Sequence, residues 1–232
     1  MGPNPLLQSA IWLVIGYLVG SIPFAYIIVR LVSHEDITAH GTGNVGSMNV
    51  RRTTGSWGWF VAAMLLDMAK GFVPVAIVKA GAYGAMPFLV PYGVALVGGM
   101  ALASLPVPAA VLGTVLGHNY SLWMAVIRRK FERTGKGLAT GAGALLAYDW
   151  RYFVAVVVVG LLTIAVTRYM MAGQVTAAFT LPVAALVLRS PDWPFALLMG
   201  VLVYAAHHKR FVGLLRGEEP RLYFEDRMGP RG

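Results

Sequence analysis

The chain consists mainly of apolar stretches too long and too poor in charge to coat a soluble body. Eight can be read along it: Leu6–Val29, Trp57–Val78, Pro87–Ser104, Val107–Ile127, Leu138–Ala147, Tyr152–Thr167, Val175–Leu188 and Trp193–Ala206. A helix crosses the hydrocarbon core of a bilayer with about 20 apolar residues, and shorter runs fit where the bilayer thins or the helix ends are polar. Of the 232 residues 57% are hydrophobic and 12% charged, against roughly a quarter charged in soluble domains. The pattern predicts an all-α integral membrane protein. The first run has no basic segment before it and no clear small-residue cleavage site after it, so it is expected to stay as a span and not be removed as a signal peptide.

Sidedness follows from the basic residues. The net charge is +9, and arginine and lysine gather in three places, Arg30–Arg52, Arg128–Lys136 and Lys209–Arg231. They lie between apolar runs and form no continuous patch, which argues for the positive-inside bias and against nucleic acid. If all three clusters face the cytoplasm, an even number of crossings must separate neighbours. Three runs lie between the first two clusters. Pro87–Ile127, interrupted by Pro87, Pro91, Pro106 and Pro108, is therefore expected to make one pass plus a re-entrant or interfacial piece. Four runs between the second and third clusters satisfy the rule. The expectation is about seven transmembrane helices, with six or eight as alternatives, some short or broken, N-terminus outside and C-terminus cytoplasmic, in one membrane domain over residues 1–212 followed by a tail over 213–232.

Four polar stretches on the expected cytoplasmic side carry the candidate chemistry. In "HGTGNVGSMNVRR", His40 to Arg52, glycines including Gly43 permit turns with positive φ. Thr42, Asn44 and Asn49 supply neutral hydrogen bonds, and Arg51 and Arg52 charge-assisted ones. Such a loop suits a phosphate and equally suits anionic lipid headgroups. In "LLDMAKG", Asp67 and Lys70 share a helix face and form either a substrate contact or a structural ion pair. "GHNYS" holds His118. In "TGKGLATG", Lys136 lies between Gly135 and Gly137 before an apolar helix, an anion clamp that lacks the spacing of a nucleotide P-loop. Gly113, Gly141 and Gly143 read as close helix packing. In "HHKRFVGLLRGEE", His207 ends the last run, with Arg210 one turn on; a histidine there can donate to phosphate or exchange a proton near neutral pH. The five histidines make no metal-ligand pattern, the GxSxG elbow is absent, and without cysteine there are no disulfides or thiolate sites.

Taken in order, Ser21-Ile22-Pro23, "HGTGNVGSMNVRR", "LLDMAKG", "GHNYS", "TGKGLATG" and "HHKRFVGLLRGEE" resemble the bacterial acyl-phosphate glycerol-3-phosphate acyltransferases, the PlsY family. The resemblance runs along nearly the whole chain. It implies a multi-pass enzyme of the bacterial inner membrane with a cytoplasmic active site. Such an enzyme moves a fatty acyl group from acyl phosphate to the 1-hydroxyl of glycerol 3-phosphate, without cofactor or metal, giving lysophosphatidate for phospholipid synthesis. A monomer among membrane lipids is expected. The resemblance gives His207, Lys136 and Asn44 catalytic roles. It gives substrate contacts to Thr42, Gly43, Asn49, Arg51, Arg52, Lys70, His118, Gly135, Gly137 and Arg210. The chain departs from the family pattern at Thr38, Thr42, Met48, Thr134, near Met171 and at Arg210. Two other readings are a transporter-like or non-catalytic relative binding a phosphorylated metabolite or lipid, and an acyltransferase with another phosphorylated acceptor. Loss of acyl transfer in Lys136→Ala, and an acceptor panel, would separate them.

Overall fold

A computed structural model describes residues 4–83, 92 and 105–219. The described elements are helices and turns. Helix α1 (Pro5–Gly20) and α2 (Phe24–Val32) precede a 3-10 turn (Ile37–Ala39), α3 (Ser47–Thr54) and α4 (Trp57–Tyr83). Then come α5 (Pro106–Asn119), α6 (Leu122–Arg128), α7 (Leu138–Tyr148), α8 (Trp150–Thr167), α9 (Met170–Val187) and α10 (Trp193–Leu215). Among the described residues, five stretches are long and apolar enough to cross a membrane: Pro5–Val32, Trp57–Gly81, Pro106–Arg128, Trp150–Thr167 and Met170–Val187.

The first apolar run is not one helix. It breaks at Ser21-Ile22-Pro23, because proline lacks an N–H and disfavours helical backbone in the residue before it. Pro106 and Pro108 do not interrupt their helix as expected. They fall in the first turn of α5, where a missing N–H costs nothing because those donors have no intrahelical partner. Residues 87–104 lie outside the described residues, Tyr92 apart.

The chain packs as two compact units, Met1–Phe153 and Val154–Gly232. The expected tail begins inside α10, which runs on to Leu215.

Glycines fix the helix pairs of the first unit. A methyl on Gly16 would come 2.7 Å from the Ala110 carbonyl oxygen, and one on Gly20 2.7 Å from Thr114 Cα. From the other side, Gly113 abuts the Leu13 carbonyl and Gly117 the Tyr17 carbonyl. Both rows advance together along the two helices, so α1 and α5 run in the same direction. A similar close approach joins α4 to α7, where Gly71 abuts Thr140 and Gly143 abuts Met68. Small residues let backbones approach to this distance, which supplies the packing that the hydrophobic effect does not supply between helices in lipid. Gly113 and Gly143 thus pack as expected. Gly141 does not: a methyl there would meet only Val115, at an ordinary 3.8 Å.

Because α1 and α5 are parallel and α4 returns between them, the loops after α1 and after α5 come to one end of the unit. Helix α7 is short, 11 residues, and its last carbonyls are satisfied from outside. Lys79 Nζ, from α4, donates to Ala147 O at 2.8 Å and Tyr148 O at 2.6 Å. With Gly71 beside Thr140 near one end and Lys79 beside Tyr148 at the other, α4 and α7 also run the same way.

In the second unit, a methyl on Gly173 would sit 2.7 Å from the Gly160 carbonyl oxygen and one on Gly200 2.5 Å from the Ala178 carbonyl oxygen. These approaches set α8 against α9 and α9 against α10.

Candidate active site

The break after α1 is the first fixed point. Ile22 O, released from helical bonding, accepts from Lys70 Nζ at 2.7 Å. Ser21 O accepts from Ser121 Oγ at 2.5 Å, and Ser21 Oγ accepts from Leu122 N–H at 3.3 Å. The turn between α1 and α2 is thereby tied to α4 and to the turn between α5 and α6.

Lys70 reaches the break while paired with Asp67 Oδ1 at 2.7 Å, and both side chains are buried. His118 Nδ1 lies 3.1 Å from Thr140 Oγ1 and 3.8 Å from Asp67 Oδ1. Its ring packs against Gly135, where any side chain would collide with it. Lys70 and His118 were expected to touch substrate. Both are buried and engaged with protein atoms beneath the loops.

The first loop, residues 40–46, turns at Gly41 and Gly43 with φ of +55° and +68°, values only glycine adopts without strain. Asn49, buried one turn inside α3, holds it. Its Nδ2 donates to Ile37 O at 2.9 Å and His40 O at 3.0 Å, and its Oδ1 lies 3.4 Å from the Thr42 N–H. The Asn49 amide thus ties the loop to the 3-10 turn before it. Arg51 also has a partner, its guanidinium stacking 3.7 Å above the Trp57 ring. Thr42 and Arg52 are exposed, and Gly43 and Asn44 half-buried.

At the loop's foot Asp36 caps the 3-10 turn, accepting from Thr38 N–H at 2.9 Å and Thr38 Oγ1 at 2.7 Å. Burial works against its charged form. The two Thr38 bonds and the charges of Arg128 and Arg30 outweigh that and hold the carboxyl below its ordinary value.

The second loop carries Lys136. Thr134 N–H donates to Asn119 O at 2.8 Å, Gly135 N–H to the same oxygen at 3.4 Å, and Arg133 Nε to Gly135 O at 3.0 Å. Thr134 Oγ1 accepts from Ser121 N–H at 3.3 Å and donates toward His118 O at 3.3 Å. Gly137, at φ +73°, caps the start of α7, so Lys136, half-buried, is presented where that helix begins. The two loops meet directly, since Val45 N–H donates to Thr134 O at 2.7 Å. The structure thus brings Thr42, Asn44 and Lys136, on two bonded loops, and Arg52, on α3, to one end of the first unit.

Expectation missed Thr134, which was visible only as a departure from the family pattern, and Lys79, which reads as the charged flank of its run. It also left unassigned the pairing of Ser21 with Ser121. In the second unit His207 is buried and its Nδ1 lies 2.8 Å from Val203 O. A carbonyl can only accept, so the neutral ring carries its proton on Nδ1 and Nε2 is the acceptor nitrogen. Met171, where the family pattern has a hydroxyl nearby, is buried. The side chain of Arg210 lies outside the described residues.

The family model for glycerol-3-phosphate acyltransferase matches residues 10–217. The chain belongs to the glycerol-3-phosphate acyltransferase family. It is 36% identical over 211 residues to the glycerol-3-phosphate acyltransferase of Synechococcus sp. (strain JA-3-3Ab), covering 89% of this chain and 90% of that one. It is 34% identical over 219 residues to a glycerol-3-phosphate acyltransferase of Thermus thermophilus, covering 93% and 96%. It also matches the crystal structure of PlsY, an integral membrane glycerol 3-phosphate acyltransferase, in its glycerol 3-phosphate form. There the TM-score is 0.74 at 27% identity, over 93% of this chain and 96% of that one. The lysophosphatidic acid form matches with a TM-score of 0.72 at 26% identity, over 93% and 95%. This acyltransferase-family member is an all-helical integral membrane protein, and its family motifs in the first unit fall on the two joined loops and their buried floor, while the last lies on α10 and the residues after it.

Proposed function

We propose that this protein transfers a fatty acyl group from acyl phosphate to the 1-hydroxyl of glycerol 3-phosphate, releasing phosphate and lysophosphatidate. The observation that carries the reading is the bond between Val45 N–H and Thr134 O. It sets Arg52 and Lys136 on one connected surface rich in donors. Both substrates carry phosphate, and phosphate is bound by cations and backbone N–H groups.

In the step proposed, the 1-hydroxyl oxygen bonds to the acyl carbon, the bond from that carbon to the phosphate oxygen breaks, and phosphate leaves. The hydroxyl proton passes to the departing phosphate. Acyl phosphate is already activated, so no covalent enzyme intermediate is needed. Lys136 and Arg52 clamp phosphates, and Thr42, Asn44, Gly43 and the Gly135–Gly137 turn orient the reactants. Holding the hydroxyl against the carbonyl is worth several kcal/mol, and donors facing the developing oxyanion about 3 kcal/mol more. The parallel run of α1 and α5, which gathers the basic loops at one end, supports a cytoplasmic site in the bacterial inner membrane. We assign the enzyme as a monomer.

The test uses purified protein given palmitoyl phosphate, palmitoyl-CoA or palmitoyl-acyl carrier protein with glycerol 3-phosphate, with lysophosphatidate read by mass spectrometry. Stoichiometric lysophosphatidate and phosphate from palmitoyl phosphate alone, lost in Lys136→Ala, is the expected result. Product from a thioester donor, or none from a folded protein, overturns it.

A further inference from the structure

Asn119 closes α5 and is only 8% exposed, packed against the second loop. Its backbone oxygen is fully used, receiving Thr134 N–H and Gly135 N–H. Its side-chain oxygen is not: Oδ1 is buried and has no hydrogen-bond partner among the described residues. A buried amide oxygen left unpaired costs free energy, and in a native fold such a group calls for a partner. The side chain points at the turn that carries the clamp. A methyl on Gly137 would stand 3.0 Å from Oδ1 and 3.5 Å from Nδ2. Glycine there serves both the +73° backbone and the room beside this amide.

The chemistry of the surroundings narrows what the partner can be. The joined loops offer donors: the ammonium of Lys136, the guanidinium of Arg52 and backbone N–H groups. Those suit phosphate oxygens, which only accept. A carboxamide oxygen also only accepts and repels a phosphate oxygen, so its natural partner is a hydroxyl proton. Glycerol 3-phosphate has two hydroxyls. The reacting one must give its proton away as the ester forms, whereas the 2-hydroxyl keeps its proton throughout and needs an acceptor.

We propose that Asn119 is a specificity-determining residue whose side-chain oxygen accepts a hydrogen bond from the 2-hydroxyl of the acceptor substrate beside the Lys136–Gly137 turn. The inference rests on the function proposed above and deepens it. It also gives polarity to the site, with the phosphate at the donor-rich side and the secondary hydroxyl at the amide.

The experiment compares glycerol 3-phosphate with 3-hydroxypropyl phosphate, which lacks only the 2-hydroxyl, in the wild type, Asn119→Ala and Asn119→Ser, with palmitoyl phosphate as donor. The wild type is expected to prefer glycerol 3-phosphate by about tenfold in kcat/KM, the worth of one hydrogen bond to a neutral hydroxyl. Asn119→Ala should lose that preference by slowing on glycerol 3-phosphate alone. Asn119→Ser, which keeps an acceptor oxygen, should restore part of it. Equal loss on both acceptors would reduce Asn119 to a support for the Gly137 turn and overturn the proposal. So would a wild type that uses both acceptors equally well, a result that needs no folded variant. A wild type that acylates neither acceptor refutes the parent reading and the inference with it, which separates that outcome from the other two.

Discussion

Lys70→Met tests whether the buried cluster is a brace or a substrate contact. The ammonium has two partners, Asp67 Oδ1 at 2.7 Å and Ile22 O at 2.7 Å. Removing one member of a buried ion pair leaves the other charge uncompensated, which costs about 3–5 kcal/mol. The orphaned Ile22 carbonyl adds about 1 kcal/mol, the low end for a lost buried partner. The smaller sum, about 4 kcal/mol, corresponds to a fall in Tm of roughly 10 °C for a chain of this size. Asp67→Leu combined with Lys70→Met removes the stranded charge and should recover most of that loss, leaving mainly the Ile22 term. The assay is thermal unfolding in detergent followed by tryptophan fluorescence, with KM for glycerol 3-phosphate measured at a temperature where every variant is folded. A brace predicts a large Tm loss in the single variant, recovery in the double, and little change in KM. A single variant as stable as the wild type with KM raised tenfold or more would refute the argument and return Lys70 to the substrate.

Arg52→Ala should raise KM for glycerol 3-phosphate about 10- to 100-fold, the worth of a charge-assisted bond to phosphate, and inorganic phosphate should inhibit it less well than it inhibits the wild type. Gly143→Val drives a side chain into the Met68 carbonyl and should prevent α4 and α7 from packing, read as loss of a monodisperse elution peak. Lys79→Met should destabilise by about 2–4 kcal/mol, because two carbonyls at the end of α7 lose their donor inside the bilayer, while kcat on the surviving folded fraction stays unchanged. Asp36 is held below its ordinary value, so its contribution to stability is present above about pH 4 and is lost as pH falls through the folded value. Asp36→Asn should flatten that acid limb in a pH series of unfolding temperatures.

The membrane class and the gathering of basic loops at one end were legible because they follow from one-dimensional quantities, run length and charge position. The helix break at Ser21–Pro23 was hidden inside an unbroken apolar run, although proline marks it once the geometry is known. Pro106 and Pro108 misled in the opposite direction, since a proline stops a helix from within but starts one at its first turn. The candidate residues divided on a property that no spacing reveals, the identity of their partners. Arg52 is exposed and Lys136 half-buried, while Asn49, Lys70 and His118 are buried with their polar groups on backbone oxygens, a carboxylate and a threonine hydroxyl. Each pattern places a polar side chain beside a glycine-rich segment, and burial and partners appear only in the third dimension.

That division has a physical reason. A loop that grips a doubly charged phosphate must hold several donors at fixed positions without satisfying them internally, and in a membrane protein its footing adjoins an apolar medium. Internal bonds therefore have to come from a second set of polar groups beneath. The structure supplies them in layers: Lys70 and Asp67 at the helix break, His118 under Gly135, Asn49 inside the first loop, and Thr134 between the two loops. The family pattern has glycine where this chain has Thr134, whose hydroxyl adds bonds to Ser121 N–H and His118 O. Thr134→Gly should loosen the joint while leaving the Val45 bond to the backbone oxygen available. The expected result is a loss of roughly 1 kcal/mol of stability, the net worth of one hydroxyl with its hydrogen bonds, with catalysis kept within a few fold. If Thr134→Gly instead abolishes turnover in a protein as stable as the wild type, the hydroxyl acts on the substrate and the layered account fails at that residue.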